Sequence, residues 1–247
     1  MQIKLISIIF TALILLILPK NCPAQQSLIE TITNAKKSLV RIYACQMGKI
    51  SDKPNIAGIS PKSKNLLIYQ KQRVRLKQKL GAGVIIDSSG IIITNYHTIV
   101  GATHIAIVLS SNKKVFAKIL HISPKEDLAL LSIQPPYPLK SITFANSNKA
   151  KLRQEIIHIG NSEYLNQTIS GGRIIGLVQS KSNNNSLELF QLRMDIYKGD
   201  SGGPILTRNG NLLGMVSSKL TSQHKTCFAI PTHKILKFCE GFLRNKK

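Results

Sequence analysis

Gly83-Val84-Ile85-Ile86-Asp87-Ser88-Ser89-Gly90-Ile91-Ile92-Ile93-Thr94 sets two short runs rich in Val and Ile on either side of a polar Asp-Ser-Ser-Gly cluster. Runs this short and β-branched, bounded by turn residues, read as buried strands, because a helix needs a longer stretch of 3.6-residue periodicity. Working outward, the same rhythm gives Leu39 to Ala44, Gly83 to Ile86, Ile91 to Thr94, Ile105 to Leu109, Ala117 to His121 and Leu128 to Ile133. A second series runs Glu155 to Ile159, Gly171 to Val178, Leu187 to Met194, Pro204 to Thr207, Leu212 to Ser217 and Thr226 to Ile230. Between the two series lies Gln134-Pro135-Pro136-Tyr137-Pro138, whose prolines suit a crossing segment rather than helix or central strand. Only two helices are indicated, a weak one at Ser27 to Lys37 and a terminal one over 232–243, where Ile235, Leu236, Phe238, Cys239 and Phe242 fall at helical spacing. The reading is all-β in two similar lobes, about 36–134 and 141–231, followed by a C-terminal helix.

The composition excludes a disordered chain, since 43% of the 247 residues are apolar and only 18% charged. The formal net charge of +23 comes from scarce acids as much as abundant bases, 11 Asp and Glu against 34 Lys and Arg. Such a balance draws a protein toward anionic surfaces and is silent on fold. Residues 1–24 read as a secretory signal: Lys4, an apolar run from Leu5 to Leu18, then Cys22-Pro23-Ala24 with small residues at the cleavage site. The run is shorter than the about 20 residues a spanning helix needs, which disfavours an uncleaved anchor. The expectation is an exported protein, periplasmic or secreted, with its functional domain over 25–247.

Export permits disulfides, but Cys45, Cys227 and Cys239 are too few for a disulfide-built scaffold. Cys227 and Cys239 are the pair nearest in sequence, with Cys45 then free and buried, although spacing alone deduces no connectivity. His224, Cys227, His233 and Cys239 crowd together, yet their spacing matches no standard zinc arrangement, and no metal is expected. Residues 51–80 carry eight Lys or Arg and a single acid, Asp52. They read as a long exposed loop ending in a half-solvated strand, or as a docking surface for something anionic.

Chemistry concentrates at three places. In Gly199-Asp200-Ser201-Gly202-Gly203-Pro204, glycines flank a serine as a nucleophile on a tight turn requires, with the Gly199 and Ser201 amides as oxyanion donors. His97 follows the run Ile91 to Thr94 and is expected at a strand end, where a neutral imidazole can take the serine's proton. Asp127 stands at the mouth of the apolar strand Leu128-Ala129-Leu130-Leu131. A carboxylate there is costly unless paired, and a catalytic imidazole's second N–H is its natural partner. Glu126 is the rival acid.

These residues, in the order His97, Asp127, Ser201, resemble the chymotrypsin/trypsin-like serine peptidases. Gly81 to Ile86, Ile93 to His97, Asp127 to Leu131, Ile157 to Asn161, Gly199 to Pro204 and Cys227 to Pro231 are similar to the HtrA/Deg branch of that family. The resemblance implies two six-stranded antiparallel β-barrels with the active site in the cleft between them. It further implies peptide-bond hydrolysis through an acyl-enzyme, no cofactor, and protein or peptide substrates. It places the basic 51–80 segment in a regulatory loop between the first two strands. After Pro231 the chain ends within one helix, so a stand-alone peptidase without PDZ-mediated partners is expected.

Two departures stand out. Asp200 occupies a position that is usually Asn in the HtrA/Deg branch. In trypsin-type enzymes this aspartate is neutralised by a freshly cleaved N-terminus, but no Ile-Val-Gly-Gly start occurs, leaving its partner open. Asp195, six residues before Ser201, matches the floor of the primary specificity pocket, where an aspartate selects Arg or Lys. The alternative is that Asp195 faces solvent and the small aliphatic preference of HtrA-like enzymes holds. Competing functions are a catalytically silent protease-like binding protein and a cationic envelope- or nucleic-acid-binding protein. The first is disfavoured by an intact triad, and the second does not explain the triad.

Overall fold

In a computed structural model, residues 23–47, 76–160, 168–182, 185–219 and 226–244 are described. Residues 1–22, all but the last two of the expected 1–24 leader, and most of the basic 51–80 segment lie outside them. The chain opens with α1 (Pro23–Lys36), then β1 (Leu39–Met47), β2 (Leu76–Asp87) and β3 (Ile91–Thr94). A one-turn α2 (Tyr96–Ile99) leads to β4 (His104–Val108), β5 (Lys114–Ser123) and β6 (Leu128–Ile133). These six strands close into an antiparallel barrel in the order β1-β2-β3-β6-β5-β4. A second barrel, ordered β10-β11-β12-β9-β8-β7, is built from β7 (Glu155–Ile159), β8 (Ile169–Ser182), β9 (Asn185–Arg193), β10 (Pro204–Leu206), β11 (Leu212–Lys219) and β12 (Thr226–Pro231). The chain ends in α3 (Thr232–Arg244).

Each barrel has its own core. Ile42, Ile85, Ile92, Ile107 and Leu131 fill the first, and Ile156, Leu192, Ile205, Val216 and Ala229 the second. A third cluster joins the barrels, packing Val84, Ile93, Leu128 and Leu130 of the first with Ile159, Leu206, Met215 and Ile230 of the second. Ala35 of α1 and Ile235, Phe238 and Cys239 of α3 seal it. Every residue of β3 is buried, which is why it reads as a continuous apolar run rather than an alternating one. Burying one such isoleucine contributes roughly 1.5–3 kcal/mol, so the shared cluster fixes the barrels as a unit.

Three expectations change. α1 starts at Pro23 rather than Ser27, consistent with proline's suitability at the first helical position. His97 lies in the one-turn α2 just beyond β3, not at the strand's end. Cys45, Cys227 and Cys239 are all free, and Cys45 is only half-buried. Cys227 belongs to the second barrel's core and Cys239 to the inter-barrel cluster, so the folded layers hold the two thiols apart. His233 meets Ser147 Oγ at 2.9 Å and Glu188 at 3.0 Å, tying α3 to the second barrel.

Candidate active site

β3 and β6 are antiparallel neighbours, with Thr94 opposite Ala129. The residues just after β3 and just before β6 therefore meet at one end of the first barrel, which brings His97 and Asp127 together. Asp127 adopts a left-handed backbone (φ 54°) that few residues other than Gly, Asn and Asp tolerate. In that conformation its carbonyl accepts from Tyr96 N–H and Asn95 Nδ2, both at 3.1 Å. Its Oδ1 accepts the His97 backbone N–H at 3.0 Å. The carboxylate is thus aimed at the ring, with Oδ2 2.8 Å from His97 Nδ1.

A carboxylate accepts, so Nδ1 carries the proton and Nε2 presents its lone pair outward. Ser217 Oγ, from β11 of the other barrel, donates to Asp127 Oδ2 at 2.9 Å. The acid is thus held from both barrels. Glu126 makes no contact with an imidazole among the described residues; its backbone N–H donates to Ser123 Oγ.

Ser201 sits between β9 and β10. Its carbonyl accepts from Ala82 N–H at 2.8 Å, while Gly202 N–H donates to Val216 O and Val216 N–H to Gly203 O, each at 2.9 Å. These bonds dock the serine turn onto β2 and β11. Gly202 has φ 84°, and a Cβ there would lie 2.1 Å from the Ala82 carbonyl oxygen, so only glycine lets the turn approach this closely. Asp200 N–H donates to Tyr197 O and Gly203 N–H to Asp200 O. Among the described residues the amides of Gly199 and Ser201 donate to nothing, so two N–H groups remain available to an anion.

His97, Gly199 and Ser201 line one cleft of about 590 Å³, with Tyr43, Lys79 and Lys198 at its walls. No hydrogen bond joins Ser201 Oγ to His97 here; catalytic hydrogen bonds are often long in free enzymes and tighten in the Michaelis complex. Lys79 Nζ donates to the carbonyls of His97 and Val100, at 3.2 and 3.1 Å, steadying the C-terminal end of α2. Asp195 is exposed and is not among the residues lining the cleft. Of the two readings of Asp195 made from sequence, its exposure agrees with the solvent-facing one. Asp195 lies near Cys227, whose thiol is pushed up to about 12 first by burial and then by the charges of Asp195 and Asp200.

Sequence reasoning missed Ser217, Lys79 and the partner of Asp200. Ser217 had one signal, a hydroxyl at the inward-facing end of an otherwise apolar strand. Asp200 is fully buried. Its Oδ2 accepts the Tyr197 N–H at 2.7 Å and lies 3.4 Å from Nε2 of His158, itself fully buried.

The model of the trypsin-like peptidase domain matches residues 81–215. The chain belongs to that family. Periplasmic serine endoprotease DegP of Escherichia coli K12 is 35% identical over 161 residues, which cover 63% of this chain and 34% of that protein. The pH-dependent periplasmic endoprotease DegQ of the same organism is 36% identical over 159 residues, covering 62% and 35%. The chain thus spans about a third of the length of the curated relatives it matches. Among solved structures, the HtrA-type protease AlgW with a tripeptide shares the fold at a TM-score of 0.71 and 22% identity, covering 89% of this chain and 64% of that one. A Mycobacterium tuberculosis protease in its active form does so at 0.67 and 20%, covering 85% and 82%. The two barrels and the inter-barrel cleft are those of the chymotrypsin-like fold.

Proposed function

We propose that the chain is an exported serine endopeptidase in which Ser201 is the nucleophile, His97 the general base, Asp127 the residue that orients it, and the Gly199 and Ser201 amides the oxyanion donors. The observation that carries this reading is the 2.8 Å contact of Asp127 with His97 Nδ1 in the cleft that Ser201 also lines. Ser201 Oγ attacks the scissile carbonyl carbon while His97 Nε2 takes the hydroxyl proton. The carbonyl oxygen, now an oxyanion, accepts from the two amides, each such donor being worth about 10²–10³ in rate. The imidazolium, stabilised by Asp127, gives its proton to the leaving amine as the C–N bond breaks. A water molecule, deprotonated by the same nitrogen, then releases the acyl group from Ser201.

Export is supported by the leader-like N-terminal sequence and by the periplasmic relatives. Small aliphatic side chains before the scissile bond fit better than basic ones, because a carboxylate as exposed as Asp195 gives little selective attraction to Lys or Arg. The net charge of +23 and the basic 51–80 segment support contact with an anionic surface, weakening steeply with salt. A peptide-library digest tests activity and preference together. Cleavage after small aliphatic residues, absent from Ser201→Ala and unchanged in Asp195→Ala, supports the reading. No cleavage by wild type, or equal cleavage by Ser201→Ala, refutes it.

A further inference from the structure

Asp200 lies between Gly199 and Ser201, both of which line the cleft, and its carboxylate is where the serine turn is tied. Oδ2 accepts the Tyr197 N–H at 2.7 Å, closing residues 197–200 into a compact loop. β7 and the residue just after it bring two further groups to the same carboxylate. Gly160 approaches so closely that a Cβ there would lie 2.7 Å from Oδ1. His158 places Nε2 3.4 Å from Oδ2, within ion-pair range though not directed as a hydrogen bond. Both side chains are fully buried.

The other ring nitrogen decides the protonation of the pair. His158 Nδ1 is 2.9 Å from the carbonyl oxygen of Pro204, which can only accept, so Nδ1 carries a proton. With Nε2 3.4 Å from Oδ2 and both side chains fully buried, a neutral His158 would leave a bare nitrogen beside a buried carboxylate oxygen, whereas a protonated ring sets opposite charges at ion-pair range. The short Tyr197 N–H contact at Oδ2 favours the ionised carboxylate. The arrangement in which the two buried charges offset each other is an imidazolium beside a carboxylate. The strand partners of His158, Ser170 and Ile205, are uncharged, as is Gly203, where a Cβ would lie 2.8 Å from the ring's Cε1. Cys227, on the far side of Asp200, is a neutral thiol.

We propose that His158 is a positioning residue: as an imidazolium it holds Asp200 in place, and through Asp200 it sets the Gly199 and Ser201 amides for the oxyanion. This deepens, and rests on, the peptidase reading of the same cleft. The imidazolium supplies a positive charge beside Asp200. The cation is internal to the fold, so the serine turn is ordered without a freed amino terminus.

The test is a cycle of four proteins, wild type, His158→Ala, Asp200→Asn and the double variant, assayed for kcat and KM on a peptide each can cleave. Thermal unfolding is followed in parallel. His158→Ala leaves a buried carboxylate without its imidazolium and is expected to lower kcat by about 10²-fold, the loss of one oxyanion donor, with KM changed by less than about threefold. Adding Asp200→Asn removes the charge that needed pairing, and is expected to restore kcat to within about tenfold of wild type. A His158→Ala protein with wild-type kcat, or a double variant no faster than His158→Ala, overturns the proposal.

Should a variant fail to fold, the wild-type protein decides. A long-range ¹H–¹⁵N correlation spectrum, with His158 assigned through its backbone, is expected to show both ring nitrogens protonated. An unprotonated Nε2 overturns the proposal. If no protein in the series cleaves peptide, the peptidase reading fails, while this spectrum still settles the pair.

Discussion

Replacing Asp127 by Asn removes a charge and leaves the shape, and the structure dictates how the amide must sit. Three donors converge on the carboxylate: the His97 backbone N–H on Oδ1, His97 Nδ1, and Ser217 Oγ on Oδ2. The backbone N–H cannot become an acceptor, so the amide oxygen of Asn takes the Oδ1 position and its NH₂ the Oδ2 position. Ser217 can rotate its hydroxyl to accept. The imidazole has one response available, which is to turn a bare Nδ1 toward the NH₂ and carry its proton on Nε2. That tautomer cannot take the Ser201 proton. Asp127→Asn is therefore expected to lower kcat about 10⁴-fold, or about 5.5 kcal/mol of transition-state stabilisation, with KM nearly unchanged. Stability should change by about 1 kcal/mol or less, since the shape is kept. Steady-state kinetics on a cleaved peptide, with thermal unfolding as the folding control, measure both. A variant within tenfold of wild-type kcat, or one whose loss lies in KM, would refute the orienting role given to Asp127.

Other perturbations probe separate contacts. Ser217→Ala removes the hydroxyl that holds Asp127 from the second barrel and should lower kcat about tenfold with KM unchanged, as for one hydrogen bond to a charged group. Gly202→Ala drives a Cβ against the Ala82 carbonyl oxygen in a left-handed conformation, and urea unfolding should show a loss on the order of 2–5 kcal/mol. Burial pushes the Cys227 and Cys239 thiols up to about 12 from an ordinary 9.0, so neither should react with a thiol reagent at pH 8 in the native protein, whereas half-buried Cys45 should. Because these thiols ionise more readily once unfolded, their contribution to stability is intact below pH 9 and falls as pH rises from about 9 toward about 12. Denaturant midpoints across that range, compared with a Cys227→Ala, Cys239→Ala protein, measure it.

The strands were legible because burial on both faces leaves an unmistakable pattern. Ile91–Thr94 and Leu128–Ile133 are short apolar runs cut off by turn residues, and they fold with those limits. The start of β2 was legible only as the half-solvated strand that ends the basic segment, since Leu76 to Leu80 alternates with Lys and Gln; that it runs on unbroken into Gly83 to Ile86 shows only in its pairing with β1. The turn of helix holding His97 is too short to show periodicity. His97, Asp127 and Ser201 stood out because each follows or precedes a buried strand or sits in a glycine turn, where its chemistry is conspicuous. Ser217 and His158 did not. Each acts through a contact between residues far apart in sequence, Ser217 to Asp127 across 90 residues and His158 to Pro204 across 46. A polar residue on a buried strand position signals that it needs a partner, but only the closed barrels show which one.

The central claim is that Ser201 is an activated nucleophile, and covalent labelling reads this most directly. A fluorophosphonate probe reacts with a serine whose proton is being withdrawn and whose oxyanion is held, and peptide mass spectrometry locates the adduct. The account expects one adduct per chain, on Ser201, formed in wild type and absent from Ser201→Ala. No adduct on wild type, or an adduct on another residue that persists in Ser201→Ala, would contradict it.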